Sequence, residues 1–142
     1  MDVKQVSVFI ENKSGQLATI CRVLAREGID MRALNIAETK DYGILRLITV
    51  KPNKTVEVLA AEGFVCSLTP VVSISVPDVP GGLSGVLDII ADKGISIEYM
   101  YSMFGNTKTG KAIMVFNTSE APEVFSKAGL EVLSGNDLGI EE

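Results

Sequence analysis

Few residues of this chain are equipped for chemistry, and their spacing narrows the field further. Histidine is absent, which removes the commonest general base, the commonest metal ligand and the usual partner of a serine or cysteine nucleophile. Cys21 and Cys66, the only cysteines, form neither a CxxC pair nor a zinc set. Cys21 falls on an apolar helical stripe and Cys66 inside an expected strand, so both read as core packing. The segment Gly105–Lys111 comes within one residue of the phosphate loop GxxxxGK(S/T), but Ala112 stands where the magnesium-binding hydroxyl belongs. It also leads into Ala112–Phe116, an apolar run of strand character, whereas a phosphate loop opens a helix. A hairpin loop with solvated lysines is the expectation there, without nucleotide. Two turns remain: Glu11-Asn12-Lys13-Ser14-Gly15-Gln16-Leu17 and Pro77-Asp78-Val79-Pro80-Gly81-Gly82-Leu83. A glycine where a helix begins leaves backbone N–H groups unshielded, and the helix dipole adds partial positive charge, so a carboxylate is readily accepted. The glycine can equally do no more than permit a tight turn.

The elements that position these turns occur twice. An offset of 66 residues relates Gly15 to Gly81, Leu17 to Leu83 and Gly28 to Gly94, the mark of a duplicated supersecondary unit. In the first copy Val6, Val8 and Ile10 alternate as in a half-buried strand. Leu17, Ile20, Cys21 and Leu24 then form an amphipathic helical stripe, with Ser14 as expected N-cap and Gly28 as the C-terminal stop. Strands are expected at Ile29–Glu38 and Ile44–Val50, joined by a loop at Lys40–Gly43, then a helix at Val56–Glu62 and a strand at Phe64–Leu68. The second copy repeats this order: strand Val71–Val76, a helix through Leu83, Val86, Leu87 and Ile90, and strand Ile95–Phe104. Strand Ala112–Phe116, helix Pro122–Ala128 and strand Leu130–Leu133 complete it. Each copy is therefore βαββαβ. The fold class is α+β, two ferredoxin-like repeats, each an antiparallel four-stranded sheet with its helices on one face. The expected domains are residues 1–69 and 70–142, with Thr69-Pro70 as a short linker.

Composition excludes several function classes. The chain has 142 residues, 46% of them hydrophobic and 22% charged, the profile of a globular protein. A net charge of −5 repels phosphate backbones and argues against a nucleic-acid partner. No apolar run is long enough to span a membrane, no signal peptide is evident, and cysteine usage suits a reducing cytoplasm. No cofactor is expected, and no catalysis.

The pattern of strand, Asn/Asp-x-x-Gly-x-Leu, apolar helix, Gly-Ile, polar residue and strand resembles the ACT domain, a family of small-molecule regulatory modules that bind amino acids and control metabolic enzymes. The resemblance covers both copies. It implies that a free amino acid, or a close analogue, is held where two ACT domains meet, by the turn and by the polar residue that begins the second strand. Carried across, the ligand-binding residues are Asn12, Ser14, Gly15, Gln16, Leu17, Asp30 and Met31 in the first copy, and Asp78, Pro80, Gly81, Gly82, Leu83 and Ser96 in the second. Asn12 with Asp30 would take the ammonium group, while Leu17 and Met31 would judge the side chain. Pro80 fits the family's proline before the glycine, and Ser14 departs from it. Asn12 against Asp78 and Asp30 against Ser96 also differ, which suggests one functional site, or one retained and one degenerate.

The resemblance implies a stand-alone sensor acting through an unidentified metabolic enzyme or regulator. The rival is a structural or protein-interaction module with a vestigial ligand site. Tyr99, Met100, Tyr101 and Met103 dress both faces of one edge strand in apolar groups, from which a buried edge and a homodimer are expected.

Overall fold

The computed structural model describes residues 2–11, 13–38, 40–104 and 111–142. Eleven elements follow in the order expected of a doubled βαββαβ unit: β1 (Val3–Glu11), α1 (Gln16–Arg26), β2 (Met31–Glu38), β3 (Tyr42–Thr49), α2 (Pro52–Ala61), β4 (Val65–Pro77), α3 (Gly82–Asp92), β5 (Tyr99–Ser102), β6 (Lys111–Asn117), α4 (Pro122–Lys127) and β7 (Val132–Leu133). The chain divides into two compact units. The first comprises Lys4–Thr69 with Leu138–Glu142, and the second Pro70–Asp137 with the chain's first residues up to Val3. Thr69-Pro70, expected as a linker, lies inside the uninterrupted strand β4. Proline's missing N–H and fixed φ are compatible with a strand wherever its nitrogen has no ladder bond to make.

In the first unit the strand order is β2-β3-β1-β4. β3 runs antiparallel to both neighbours, with Val8 opposite Leu45 and Leu34 opposite Leu47. Alternation sends Val6, Val8, Ile10, Leu45 and Leu47 to one face, where they pack with Ile20, Val23 and Leu24 of α1 and Val58 and Leu59 of α2. The second unit has the order β5-β6-β4-β7. Its core of Val72, Ile74, Val76, Val86, Ile90 and Ile95, with Phe116 and Phe125, reproduces the first at the offset of 66 residues, for example Val8 to Ile74 and Ile29 to Ile95.

β5 is shorter than the expected Ile95–Phe104, with only Tyr99–Ser102 in ladder register against β6. Tyr101 and Met103 are buried, Tyr99 and Met100 half-buried, and the Tyr99 hydroxyl accepts a hydrogen bond from Asn117 Nδ2 at 3.1 Å. Lys111 and Ala112 lie in β6 rather than in a helix, and Lys111 pairs with Glu131 at 2.8 Å. The rest of the segment that resembles a phosphate loop, residues 105–110, lies outside the described residues.

The last five residues of the first unit form a strap that the sequence does not announce. Leu138 and Ile140 are buried, the Glu141 N–H donates to the Val50 carbonyl at 2.7 Å, and Arg32 Nε donates to the Leu138 carbonyl at 3.1 Å. Helix α2 has no side-chain cap of its own. The Glu142 carboxylate supplies one, accepting the N–H groups of Asn53 at 2.6 Å and Lys54 at 3.2 Å. Those are two of the donors that a helix leaves unpaired at its start, and the dipole favours the negative charge there.

Candidate functional site

The first turn links the end of β1 to the start of α1 and is fastened by its own side chains. Glu11 N–H donates to Gln16 Oε1 at 2.8 Å, so the glutamine tethers the helix start to the strand end. The Lys13 ammonium pairs with Glu11 Oε2 at 2.6 Å. That hydrogen bond, then the carboxylate's charge, pushes the Lys13 pKa upward from its usual value. Gly15, not Ser14, is the N-cap of α1, with φ of 86° and no side-chain capping bond. Its carbonyl accepts both the N–H and the hydroxyl of Thr19 at 2.9 Å. A Cβ built on Gly15 meets nothing within 4 Å, so the glycine is required by the left-handed backbone and not by crowding.

Beside this turn lies a cavity of about 160 Å³, lined by Ile10, Glu11, Lys13, Gln16, Leu17, Ile36, Tyr42 and Gly43. The β1–β3 register places Tyr42 opposite Glu11 and Gly43 opposite Ile10, which brings the hairpin end to the helix start. The Tyr42 ring is set by stacking on Phe9, with centroids 5.0 Å apart. The cavity lining therefore combines an ion pair, a side-chain amide and the branched aliphatic side chains of Ile10, Leu17 and Ile36.

The second turn repeats the backbone but not the cavity lining. Gly81 caps α3 with φ of 84°, and its carbonyl accepts the Gly85 N–H at 2.9 Å. Here Val79 and Gly82 stand at the positions of Lys13 and Gln16. A Cβ on Gly82 would fall 1.9 Å from the Pro77 carbonyl oxygen, so the helix start is packed directly against the strand end. Asp78 and Pro80 are exposed, while Leu83 packs on the second core.

Over residues 1–140 the sequence matches the family described as the ACT domain pair. The chain belongs to that family. Protein BT0572 from Bacteroides thetaiotaomicron has a similar crystal structure, with 42% identity and a TM-score of 0.88, covering 98% of this chain and 96% of that one. The fold is shared with the ligand-free regulatory subunit of aspartate kinase from Thermus thermophilus, at 18% identity and a TM-score of 0.65 over 91% of each chain. It is shared as well with the regulatory subunit of aspartate kinase from Thermus flavus, at 18% identity and 0.60 over 90% of each. No curated protein matches the chain significantly.

Within the first unit of this ACT pair, Gln16 and Leu17 line the cavity and Ser14 and Gly15 stand exposed at the turn beside it. Asn12 lies outside the described residues. Asp30 directly precedes β2 and Met31 begins it, whereas the cavity touches β2 at Ile36, about 17–20 Å further along an extended strand. The unit by itself does not bring them to the α1 turn. The Asp30 carboxylate instead pairs with Arg32 Nη1 at 3.3 Å, and Met31 packs against the first core. Ser96 is exposed, and its carbonyl accepts the Thr118 hydroxyl at 2.9 Å. Sequence reasoning did not single out Ile10, Glu11, Lys13, Ile36, Tyr42 or Gly43 as lining residues. Only the strand register brings Ile36, Tyr42 and Gly43 to the turn; Glu11 and Lys13 were within the quoted motif as a charged pair two residues apart. Among the described residues no cluster of acidic or cysteine side chains could hold a metal ion, and no helix is long and apolar enough to cross a membrane.

Proposed function

We propose that this ACT pair is an amino-acid-responsive regulatory protein that binds a free amino acid beside the start of α1 and acts, as a homodimer, on a separate metabolic enzyme or regulator. The observation that carries this reading is the cavity at the α1 turn, whose lining offers one group of each charge. The ligand carboxylate would face the backbone N–H groups at the start of α1 and the Lys13 ammonium. Its ammonium would face the Glu11 carboxylate. Lys13 and Glu11 are both solvent-exposed, with side chains 68% and 58% accessible, so water screens their mutual attraction and exchanging partners costs little. Thr19 anchors the Gly15 carbonyl, which keeps the turn shaped before ligand arrives. Asp30 and the residues of the second turn stay in the proposal as groups the family places near ligand, and the second turn would bind weakly or not at all. In this reading the chain performs no catalysis, and its output is a change in what it binds.

Nuclear magnetic resonance titration tests it directly. Adding amino acids singly to the labelled protein should move the amide signals of Gly15, Gln16, Leu17 and Gly43 saturably, and leave Gly81 and Leu83 little changed. Saturable shifts confined to other residues would remove the site, and no shifts with any amino acid would favour the interaction-module reading.

A further inference from the structure

We infer that the ligand of the α1 cavity is an amino acid with an apolar side chain, and that Gly43 sets how large that side chain can be. The inference rests on the preceding reading that this cavity takes an amino acid. Among the described lining residues, Lys13 and Glu11 pair with each other, and Gln16 Oε1 is committed to the Glu11 N–H at 2.8 Å. The apolar part of the lining is Ile10, Leu17 and Ile36 around Gly43, and strand register puts Ile10, Ile36 and Gly43 on the sheet face that α1 covers. A charged side chain laid against Ile10, Leu17 and Ile36 would surrender hydration to groups that offer it no partner, whereas an aliphatic or aromatic one would lose only unfavourable water contact. The cavity's roughly 160 Å³ is close to the ~150 Å³ of an aliphatic-lined protein cavity that holds benzene. A branched aliphatic or aromatic side chain fits that volume.

Gly43 holds the decisive position. Strand alternation puts its side-chain position on the same face as Leu45 and Leu47, the face of α1. A Cβ there would lie 3.5 Å from Ile10 Cγ1, 3.6 Å from Ile36 Cγ2 and 3.5 Å from the Ala37 carbonyl oxygen. These are ordinary contacts, and Gly43 is not among the residues with positive φ. The fold therefore accepts alanine at this position, but the methyl group enters the cavity between two of its lining side chains. Glycine leaves that space open.

Calorimetric titration of leucine, phenylalanine, alanine, glutamate and lysine into the wild type, Gly43→Ala and Ile36→Ser separates the possibilities. Ile36 is 39% exposed on the outermost strand of its unit, so its serine variant remains a folded control if Gly43→Ala does not fold. Leucine or phenylalanine should bind the wild type at least tenfold more tightly than glutamate or lysine. One misfitting methyl in an apolar pocket is worth roughly 10–200-fold, so Gly43→Ala should weaken leucine or phenylalanine by about tenfold or more. Alanine should be much less affected, and Ile36→Ser should narrow the margin between leucine and alanine. Tightest binding by glutamate or lysine, or a leucine-to-alanine ratio unmoved in both variants, would overturn this inference while leaving amino-acid sensing intact. Failure of every amino acid to bind the wild type would overturn both.

Discussion

The strap Leu138–Glu142 allows a prediction in which the pattern of losses says more than their size. Leu138 and Ile140 are each 6% exposed. If they were locked into a rigid core, each change to alanine would cost about 2–5 kcal/mol, and the pair about 4–10. A strap can peel away instead. Burying its two side chains contributes about 3–6 kcal/mol relative to exposure. The four hydrogen bonds, from Glu141 to Val50, Arg32 to Leu138, and Asn53 and Lys54 to Glu142, add about 2–6 kcal/mol. Ordering five residues opposes this by about 5–10 kcal/mol. At the middle of these ranges the balance is about 1 kcal/mol, and no substitution in the strap can cost more than detaching it. Leu138→Ala, Ile140→Ala, the double variant and deletion after Asp137 should therefore converge on one loss of about 1–2 kcal/mol in urea denaturation, read from midpoints at constant slope. The Asn53 and Lys54 amides should lose exchange protection in the same variants. Additive losses, with the double variant beyond about 4 kcal/mol, would refute the peeling argument and make these residues integral core.

The two glycines near the start of α3 should respond with opposite signs. Gly82→Ala must force its Cβ away from the Pro77 oxygen 1.9 Å distant and should cost about 3 kcal/mol or more, whereas Gly85→Ala, with nothing within 4 Å, should stabilise the helix by about 0.5–1 kcal/mol; equal effects in thermal denaturation would contradict that packing. Acid stability should depend on two carboxylates held below their usual pKa, Glu131 by the Lys111 hydrogen bond and charge, and Asp137 by the Ser134 backbone N–H and then its hydroxyl. A depressed folded-state pKa means that the stabilisation is complete above the unfolded values near 4.5 and 3.8 and is lost as pH falls through the folded ones. Urea midpoints between pH 2 and pH 7 should therefore fall less steeply on the acid side in Lys111→Gln, and an unchanged slope would show that Lys111 does not hold Glu131. Light scattering should report about twice the 15.2 kDa chain mass, and a persistent monomer at high micromolar concentration would remove the homodimer.

The parts of the fold legible in the sequence were those written by local periodicity. Val6, Val8 and Ile10 alternate, Leu17, Ile20 and Leu24 recur at helical spacing, and both patterns return 66 residues later as the second core. The two units divide between Thr69 and Pro70, yet the strand β4 runs through both residues, because proline interrupts a strand only where its missing N–H would be needed. Ile95 and Ile97 alternate with Tyr99 and Tyr101 as a strand would, but only Tyr99–Ser102 finds ladder partners on β6. The glycines that open α1 and α3, and with them the turn of the candidate site, were readable from their spacing with a following leucine. The apolar lining was not, because Ile36 and Gly43 reach the turn through the pairings of β3 with β2 and β1, and register is a long-range property. The strap was invisible for a similar reason: Glu142 caps a helix that begins ninety residues before it, and no local pattern records such a bond.

The central claim is that this ACT pair recognises a free amino acid, and its most direct test is the melting temperature of the purified protein against each of the twenty amino acids. A ligand held at one hundred times its dissociation constant adds about 2.7 kcal/mol to the folded state, which for a chain of this size corresponds to a rise of about 5–10 °C. At least one amino acid at millimolar concentration should produce such a saturable rise, with leucine or phenylalanine ahead of glutamate and lysine. A melting temperature unmoved by all twenty would contradict the claim.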